Sequence, residues 1–150
     1  MVRTSSGSLF DEPVAALVNP VNCVGTMGKG LAKEFRSRFP EIFEPYRALC
    51  GSGGLAPGRP HVVDRGAGNC PQWIVNLPTK RHWRSRSRIE DVEAGVVALA
   101  DALRENEIPS VAVPALGCGL GELDWDRVHS VLLAHLEPLT GVDVVLFPPR

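Results

Sequence analysis

The sequence predicts an α/β fold: a mixed, largely parallel sheet with helices on both faces. Three observations lead there. Apolar runs without polar alternation, such as Ala15–Val18 and Val111–Val113, are the pattern of strands covered on both sides. Stretches with helical spacing lie between such runs, so strand and helix alternate along the chain. Two glycine-rich segments, Gly25–Gly30 and Gly117–Gly121, each follow an apolar strand and precede a helix, the place where open α/β sheets bind ligands.

Taken in order, Leu9-Phe10 and Ala15–Val18 read as strands, the second central because it is apolar throughout. Leu31, Phe35 and Phe39 recur at i, i+4 and i+8, which predicts a helix over Leu31–Phe39 that Pro40 stops. A shorter helix follows over Glu41–Leu49. The cluster Gly51-Ser52-Gly53-Gly54 is too short for a domain linker and reads as a surface loop. His61–Val63 and Trp73–Leu77 are strands separated by a turn at Arg65–Asn69. Ser87-Arg88-Ile89-Glu90 has the form of a capping box, and Ile89, Val92, Val96, Leu99, Ala100 and Leu103 then line one helical face. Val111–Val113 is a strand, Asp126–Leu136 a helix and Val142–Phe147 a closing strand.

Composition bounds what such a fold does. With 150 residues, 44% of them hydrophobic, one domain over residues 1–150 with one sizeable core is expected. No apolar run approaches the roughly 20 residues needed to span a bilayer. Met1–Ser8 lacks a leader's apolar stretch, so the expected setting is the cytoplasm, without membrane contact. Cys23, Cys50, Cys70 and Cys118 form no C-x-x-C pair, which argues for free thiols and against a zinc knuckle or redox motif. His129 and His135 do not share a helical face, and no close ligand set suggests a metal. A net charge of −1 gives no overall pull towards nucleic acid, so any such contact needs a local patch.

Three segments carry candidate chemistry. The first is Asn19-Pro20-Val21-Asn22-Cys23-Val24-Gly25-Thr26-Met27-Gly28-Lys29-Gly30-Leu31, a strand end, a glycine-rich loop and a helix start. Free backbone amides there would receive phosphate oxygens, and glycine lets the backbone come close. Asn22 fits either a ligand contact or a turn former, and Lys29 either phosphate support or a solvated helix start. The second is Pro114-Ala115-Leu116-Gly117-Cys118-Gly119-Leu120-Gly121-Glu122, the same architecture again; two such loops could clamp a diphosphate. Neither fits a dinucleotide G-x-G-x-x-G or a Walker sequence. The third is Asn76-Leu77-Pro78-Thr79-Lys80-Arg81-His82-Trp83-Arg84, with Arg86 and Arg88 beyond. A lysine among cations has a lowered pKa and more free amine, the form that acts as a nucleophile. A solvated surface lysine is the other reading.

Together these motifs resemble the macrodomain family, which binds ADP-ribose, over nearly the whole chain. The Gly28-Lys29-Gly30 loop and Gly117-Cys118-Gly119-Leu120 are similar to its DarG-type branch of DNA ADP-ribosyl glycohydrolases, antitoxins related to the terminal ADP-ribose protein glycohydrolase. The resemblance implies a three-layer α/β/α sandwich and an ADP-ribose site at Ser8, Leu9, Asn19, Asn22, Gly28, Lys29, Gly30, Leu31, Thr79, Gly117, Cys118, Gly119 and Leu120. It implies Lys80 as nucleophile towards the distal ribose, with Asn22 holding that ribose or the leaving base. ADP-ribose is then ligand and product, and no cofactor is expected.

The implied substrate is single-stranded DNA carrying ADP-ribose on thymine, with Arg81, Trp83 and Arg84 as contacts, and the implied partner is a DarT-like toxin whose modification of DNA this chain, as a monomeric antitoxin, reverses. Removal of ADP-ribose from acidic protein side chains, or binding without cleavage, are the competing readings. The chain departs from the relatives twice. Gly121 stands where the terminal glycohydrolase has its catalytic aspartate, leaving Glu122 as the nearest carboxylate, and Ser8 stands where many members carry Asp or Asn to read adenine.

Overall fold

A computed structural model describes all 150 residues, Met1–Arg150. Six strands form one sheet: β1 (Val2–Thr4), β2 (Ala16–Asn22), β3 (His61–Asp64), β4 (Trp73–Lys80), β5 (Ser110–Pro114) and β6 (Asp143–Phe147). Their order is β1-β6-β5-β2-β4-β3, parallel throughout except for the antiparallel edge pair β3–β4. Helices α1 (Gly30–Arg38) and α2 (Phe43–Gly51) cover one face, and α3 (Ile89–Glu105) and α4 (Trp125–Leu136) the other.

Strand alternation divides β2 between two cores. Ala16 and Val18 join Val92, Val96, Leu99, Val128 and Leu132 on the α3–α4 side. Leu17 and Val21 join Phe35, Ile42 and Tyr46 on the α1–α2 side. The core therefore has two parts, one on each face of the sheet. Phe35 has no exposed surface, and its burial contributes roughly 2–3 kcal/mol to holding α1 on the sheet. No helix is long and apolar enough to cross a membrane.

Four local expectations are corrected. Leu9-Phe10 is not a strand but part of a 3-10 turn, Leu9–Asp11, because Ser8 Oγ accepts a hydrogen bond from Phe10 N at 3.3 Å and starts the turn. The first strand is instead Val2–Thr4, whose pairing with Val144–Leu146 orders a segment that has little apolar signal. Strand β4 continues past Leu77 to Lys80, so Lys80 closes a strand rather than following one. The capping box does not form: Arg88 takes the N-cap position of α3 without a side-chain hydrogen bond, and Ser87 lies one residue earlier, buried.

Register delivers the site. Asn19 pairs with Asn76, but a bulge between Val21 and Asn22 shifts the ladder by one, so Asn22 faces Lys80. The C-terminal ends of β2, β4 and β5 thus present Asn22, Lys80 and the loop after Pro114 at one edge of the sheet.

Candidate active site

Asn22 organises the loop that leaves β2. Its Oδ1 accepts from the amides of Val24 and Gly25, each at 3.1 Å, and of Thr26 at 3.4 Å. Its Nδ2 donates to Thr26 Oγ1 at 2.7 Å and Thr26 O at 3.2 Å. From α2, the buried Tyr46 hydroxyl lies 2.8 Å from Asn22 O and 2.9 Å from Asn22 Oδ1. Burial pushes the Tyr46 hydroxyl well above its ordinary pKa, keeping it a donor. The side chain expected to hold the sugar is the internal brace of the loop, with every donor and acceptor committed to it.

The loop then runs into α1. Lys29 is the N-cap, makes no side-chain cap, and the first turn holds no acidic residue, so the positive end of the helix is unopposed. Gly30 adopts φ +58, and a Cβ there would lie 3.8 Å from Leu120 Cδ1, so the two glycine-rich loops meet across the start of α1. The amides of Gly28, Lys29, Gly119 and Leu120 donate to no group in the chain. Opposed sets of free amides beside a helix N-terminus make a cradle for an anion such as a diphosphate.

The second loop is held from beneath. Leu123 N donates to Gly117 O at 2.8 Å, Glu122 N to Gly119 O at 3.1 Å, and Ser87 N to Gly121 O at 3.1 Å. A Cβ on Gly121 would lie 2.5 Å from Gly117 O and 2.3 Å from Ser87 Oγ. No side chain fits at position 121, so the aspartate of the related glycohydrolase has no place in this loop. Glu122 follows in the left-handed region, φ 64, with its carboxylate 2.6 Å from Arg86 Nε.

Lys80 lies between the loops. Partial burial is the largest influence on its amine and lowers the pKa, Glu122 opposes that, and Lys29 adds to it. The direction is the one expected from sequence, but the cause is different: desolvation leads, and the like charge comes from Lys29 rather than from the arginines that follow. Thr79 is buried beside it.

The other expected residues fall in different places. Ser8 caps the 3-10 turn beyond β1, at the same end of the sheet as the loops. Leu9 belongs to the α1–α2 core, and Leu31 packs against it, so neither offers the cradle a free side chain. Asn19 is fully buried, its Nδ2 donating to Asn76 Oδ1 at 2.9 Å, which removes its side chain from the ligand surface. Cys118 packs on the α3–α4 core with its thiol pushed up to about 11, chiefly by burial and secondarily by Asp124, so it stays protonated. Trp83 is 45% exposed with Arg84 Cζ 4.5 Å above its ring. Arg81 Nε and Nη2 grip the buried Asp91 at 3.0 and 3.1 Å. No group of three or more His, Cys, Asp or Glu side chains is placed to hold a metal ion.

Sequence reasoning missed Tyr46, Ser87 and Asp91. Tyr46 sits on α2 and Asp91 in the first turn of α3, and helical spacing marks a buried face without naming its partner. Being the chain's one tyrosine is the only sequence signal Tyr46 gives.

The fold and site define a three-layer α/β/α domain in which two loops with free amides meet over the strand ends, with a lysine at the mouth. Residues 18–132 match the Macro domain family, and the chain belongs to it. It is 45% identical over 149 residues to a DNA ADP-ribosyl glycohydrolase of Mycobacterium tuberculosis, covering 99% of this chain and 42% of that protein. The chain thus spans about two fifths of that relative's length. Among solved structures, the macrodomain of Thermus aquaticus DarG superposes with a TM-score of 0.96 at 44% identity, covering 99% of each chain. Thermosipho africanus DarTG in complex with ADP-ribose superposes with a TM-score of 0.89 at 33% identity, over 97% of this chain and 41% of that one.

Proposed function

We propose that this domain removes ADP-ribose from thymine in single-stranded DNA in the cytoplasm, and so reverses a DarT-like DNA ADP-ribosyltransferase. The observation that carries the reading is the placement of Lys80: it closes β4 opposite Asn22, and its amine feels charges from both loops. The activities named for the Mycobacterium and Thermosipho relatives support it.

The free amine of Lys80 attacks the anomeric carbon of the distal ribose. A bond forms from Nζ to that carbon, the bond from the carbon to the base nitrogen breaks, and the electron pair leaves with the base. Nζ gives up a proton as the departing nitrogen takes one, and water then hydrolyses the adduct to free ADP-ribose and the amine. The amides of Gly28, Lys29, Gly119 and Leu120 hold the diphosphate, fixing the sugar against Lys80. Action on acidic protein side chains by a lysine–aspartate pair is disfavoured, since Gly121 has no room for the aspartate.

The test is release of ADP-ribose from a thymine-modified oligonucleotide and from a glutamate-modified protein, with Lys80→Ala in parallel. Release from the oligonucleotide alone, abolished in the variant, is expected. Tight ADP-ribose binding without release from either substrate would leave a reader, and release that survives loss of Lys80 would remove the nucleophile.

A further inference from the structure

Beside the cradle lies a second cleft, of about 410 Å3, lined by Cys23, Leu55, Pro57, Arg81, Asp91 and Ala94. That is at the small end of the roughly 300–1,000 Å3 of ligand pockets. Cys23 follows Asn22 and Arg81 follows Lys80, and those two face each other in register. In the sheet order β5-β2-β4-β3 the cradle sits over the ends of β5 and β2, whereas the cleft, lined by Arg81 after β4 and by Leu55 and Pro57 before β3, adjoins Lys80 on the other side from Glu122.

From this arrangement we propose that the cleft receives the nucleobase from which ADP-ribose is cut, and that Arg81 donates to a carbonyl oxygen of that base as it leaves. The inference rests on the glycohydrolase reading above. An anomeric carbon within bonding reach of Lys80 carries the base one bond away. With the diphosphate on the loop side, the base points to the opposite side, into the cleft.

The lining suits it. Leu55 and Pro57 give an apolar wall for a flat ring, and Cys23, whose thiol is pushed up by burial and by Cys50 and Asp91, stays neutral there. A guanidinium has five N–H donors. Asp91 takes two, so three remain, on a side chain held in place yet 58% exposed. In a DNA strand the N1 of thymine bears deoxyribose, which leaves N3 as the ring nitrogen for a second glycosidic bond. N3 then has no hydrogen and is flanked by two acceptors, O2 and O4, so the matching protein group is a donor. When the bond to N3 breaks, the electron pair spreads onto O2 and O4. A fixed cation at one of them stabilises the departing base before it is protonated.

The experiment measures single-turnover release from two oligonucleotides, one ADP-ribosylated on thymine and one on 5-fluorouracil, whose ring nitrogen is the better leaving group. Because Arg81→Ala alone strands the buried Asp91 carboxylate, the variants are the double change Arg81→Ala/Asp91→Ala and the charge-preserving Arg81→Lys. ADP-ribose affinity is measured on each. Expected is a loss of about 100-fold or more on thymine for the double variant, a clearly smaller loss on 5-fluorouracil, an intermediate loss for Arg81→Lys, and ADP-ribose affinity within twofold of the parent. Equal losses on the two bases, or a matching loss of ADP-ribose affinity, would overturn the base subsite. Absence of release by the parent protein would instead overturn the glycohydrolase reading.

Discussion

Ser87 and Gly121 are packed so closely that a Cβ on the glycine would lie 2.3 Å from Ser87 Oγ and 2.8 Å from Ser87 Cβ. Two loops far apart in sequence are thereby locked, with Ser87 N bonded to Gly121 O and the Ser87 hydroxyl left buried without a partner. Gly121→Ala should destabilise the protein by about 3 kcal/mol, since the backbone oxygen of Gly117 cannot move aside as a side chain could. Thermal melting should show it as a drop of roughly 6–12 °C. Gly121→Asp should cost at least as much and restore no lysine–aspartate chemistry. Ser87→Ala removes an unpaired hydroxyl and should be neutral or stabilising by up to about 1 kcal/mol by denaturant titration. A tolerated Gly121→Ala would show that the loop is not held as described.

Asn22 and Tyr46 yield a second prediction, because the brace and the ligand-contact roles of Asn22 differ in what Tyr46 does. Tyr46 is fully buried and touches Asn22 from beneath. Tyr46→Phe removes the hydroxyl and should cost about 1–2 kcal/mol. It should also weaken ADP-ribose binding several-fold by calorimetry, since the loop amides lose their alignment. Combined with Asn22→Ala, it should give a coupling energy of about 1 kcal/mol or more. Undiminished binding by Tyr46→Phe would return Asn22 to a direct contact with the sugar.

The layout of the fold was legible because strands covered on both faces cannot hide their composition: Ala16–Val18 of β2, Val111–Pro114 of β5 and Val144–Phe147 of β6 are continuous apolar runs. The end of β4 was not. Pro78 and Thr79 look like a turn, yet Pro78 lies in the ladder opposite Val21, beside the bulge. Leu9-Phe10 suits a strand or a turn equally, and only Ser8 Oγ decides. At the site, the two glycine loops and Lys80 were visible as motifs. The turn-forming reading of Asn22 was also open, since its brace is made to Val24, Gly25 and Thr26 of its own loop; the bracing roles of Tyr46 and Ser87 were not legible, because each depends on a contact between segments that sequence order keeps apart.

Lys80 leads to a pH prediction with two opposite arms. A nucleophilic amine works only when neutral, so single-turnover release should rise with pH through the lowered pKa of Lys80 and then level. Lys29→Met removes a like charge that lowers this pKa, so the rising limb should move to higher pH. Glu122→Gln removes the carboxylate that raises it, so the limb should move to lower pH. Shifts in the same direction, or none, would mean that the amine does not set the limb.

Asn19, Asn76 and His61 form a polar line across β2, β4 and β3 beneath the site, and it predicts how stability responds to acid. Asn76 Nδ2 lies 3.1 Å from His61 Nδ1 and, being only a donor, fixes that nitrogen as the acceptor and places the imidazole proton on Nε2. Burial lowers the pKa of His61 below its ordinary 6.5, and a proton added at Nδ1 would also set donor against donor. With the folded pKa below the unfolded one, the unfolded chain binds more protons between the two values. The contribution is therefore fully present above the unfolded pKa and is lost as pH falls through the folded one. Denaturant midpoints should be level from pH 8 to about 7 and decline as pH drops below 6.5. In His61→Gln the glutamine carbonyl can accept from Asn76 without titrating, so this part of the decline should disappear while stability at pH 8 changes by no more than about 1 kcal/mol. If the variant loses stability with acid as steeply as the parent, carboxylates rather than this half-buried imidazole govern the response.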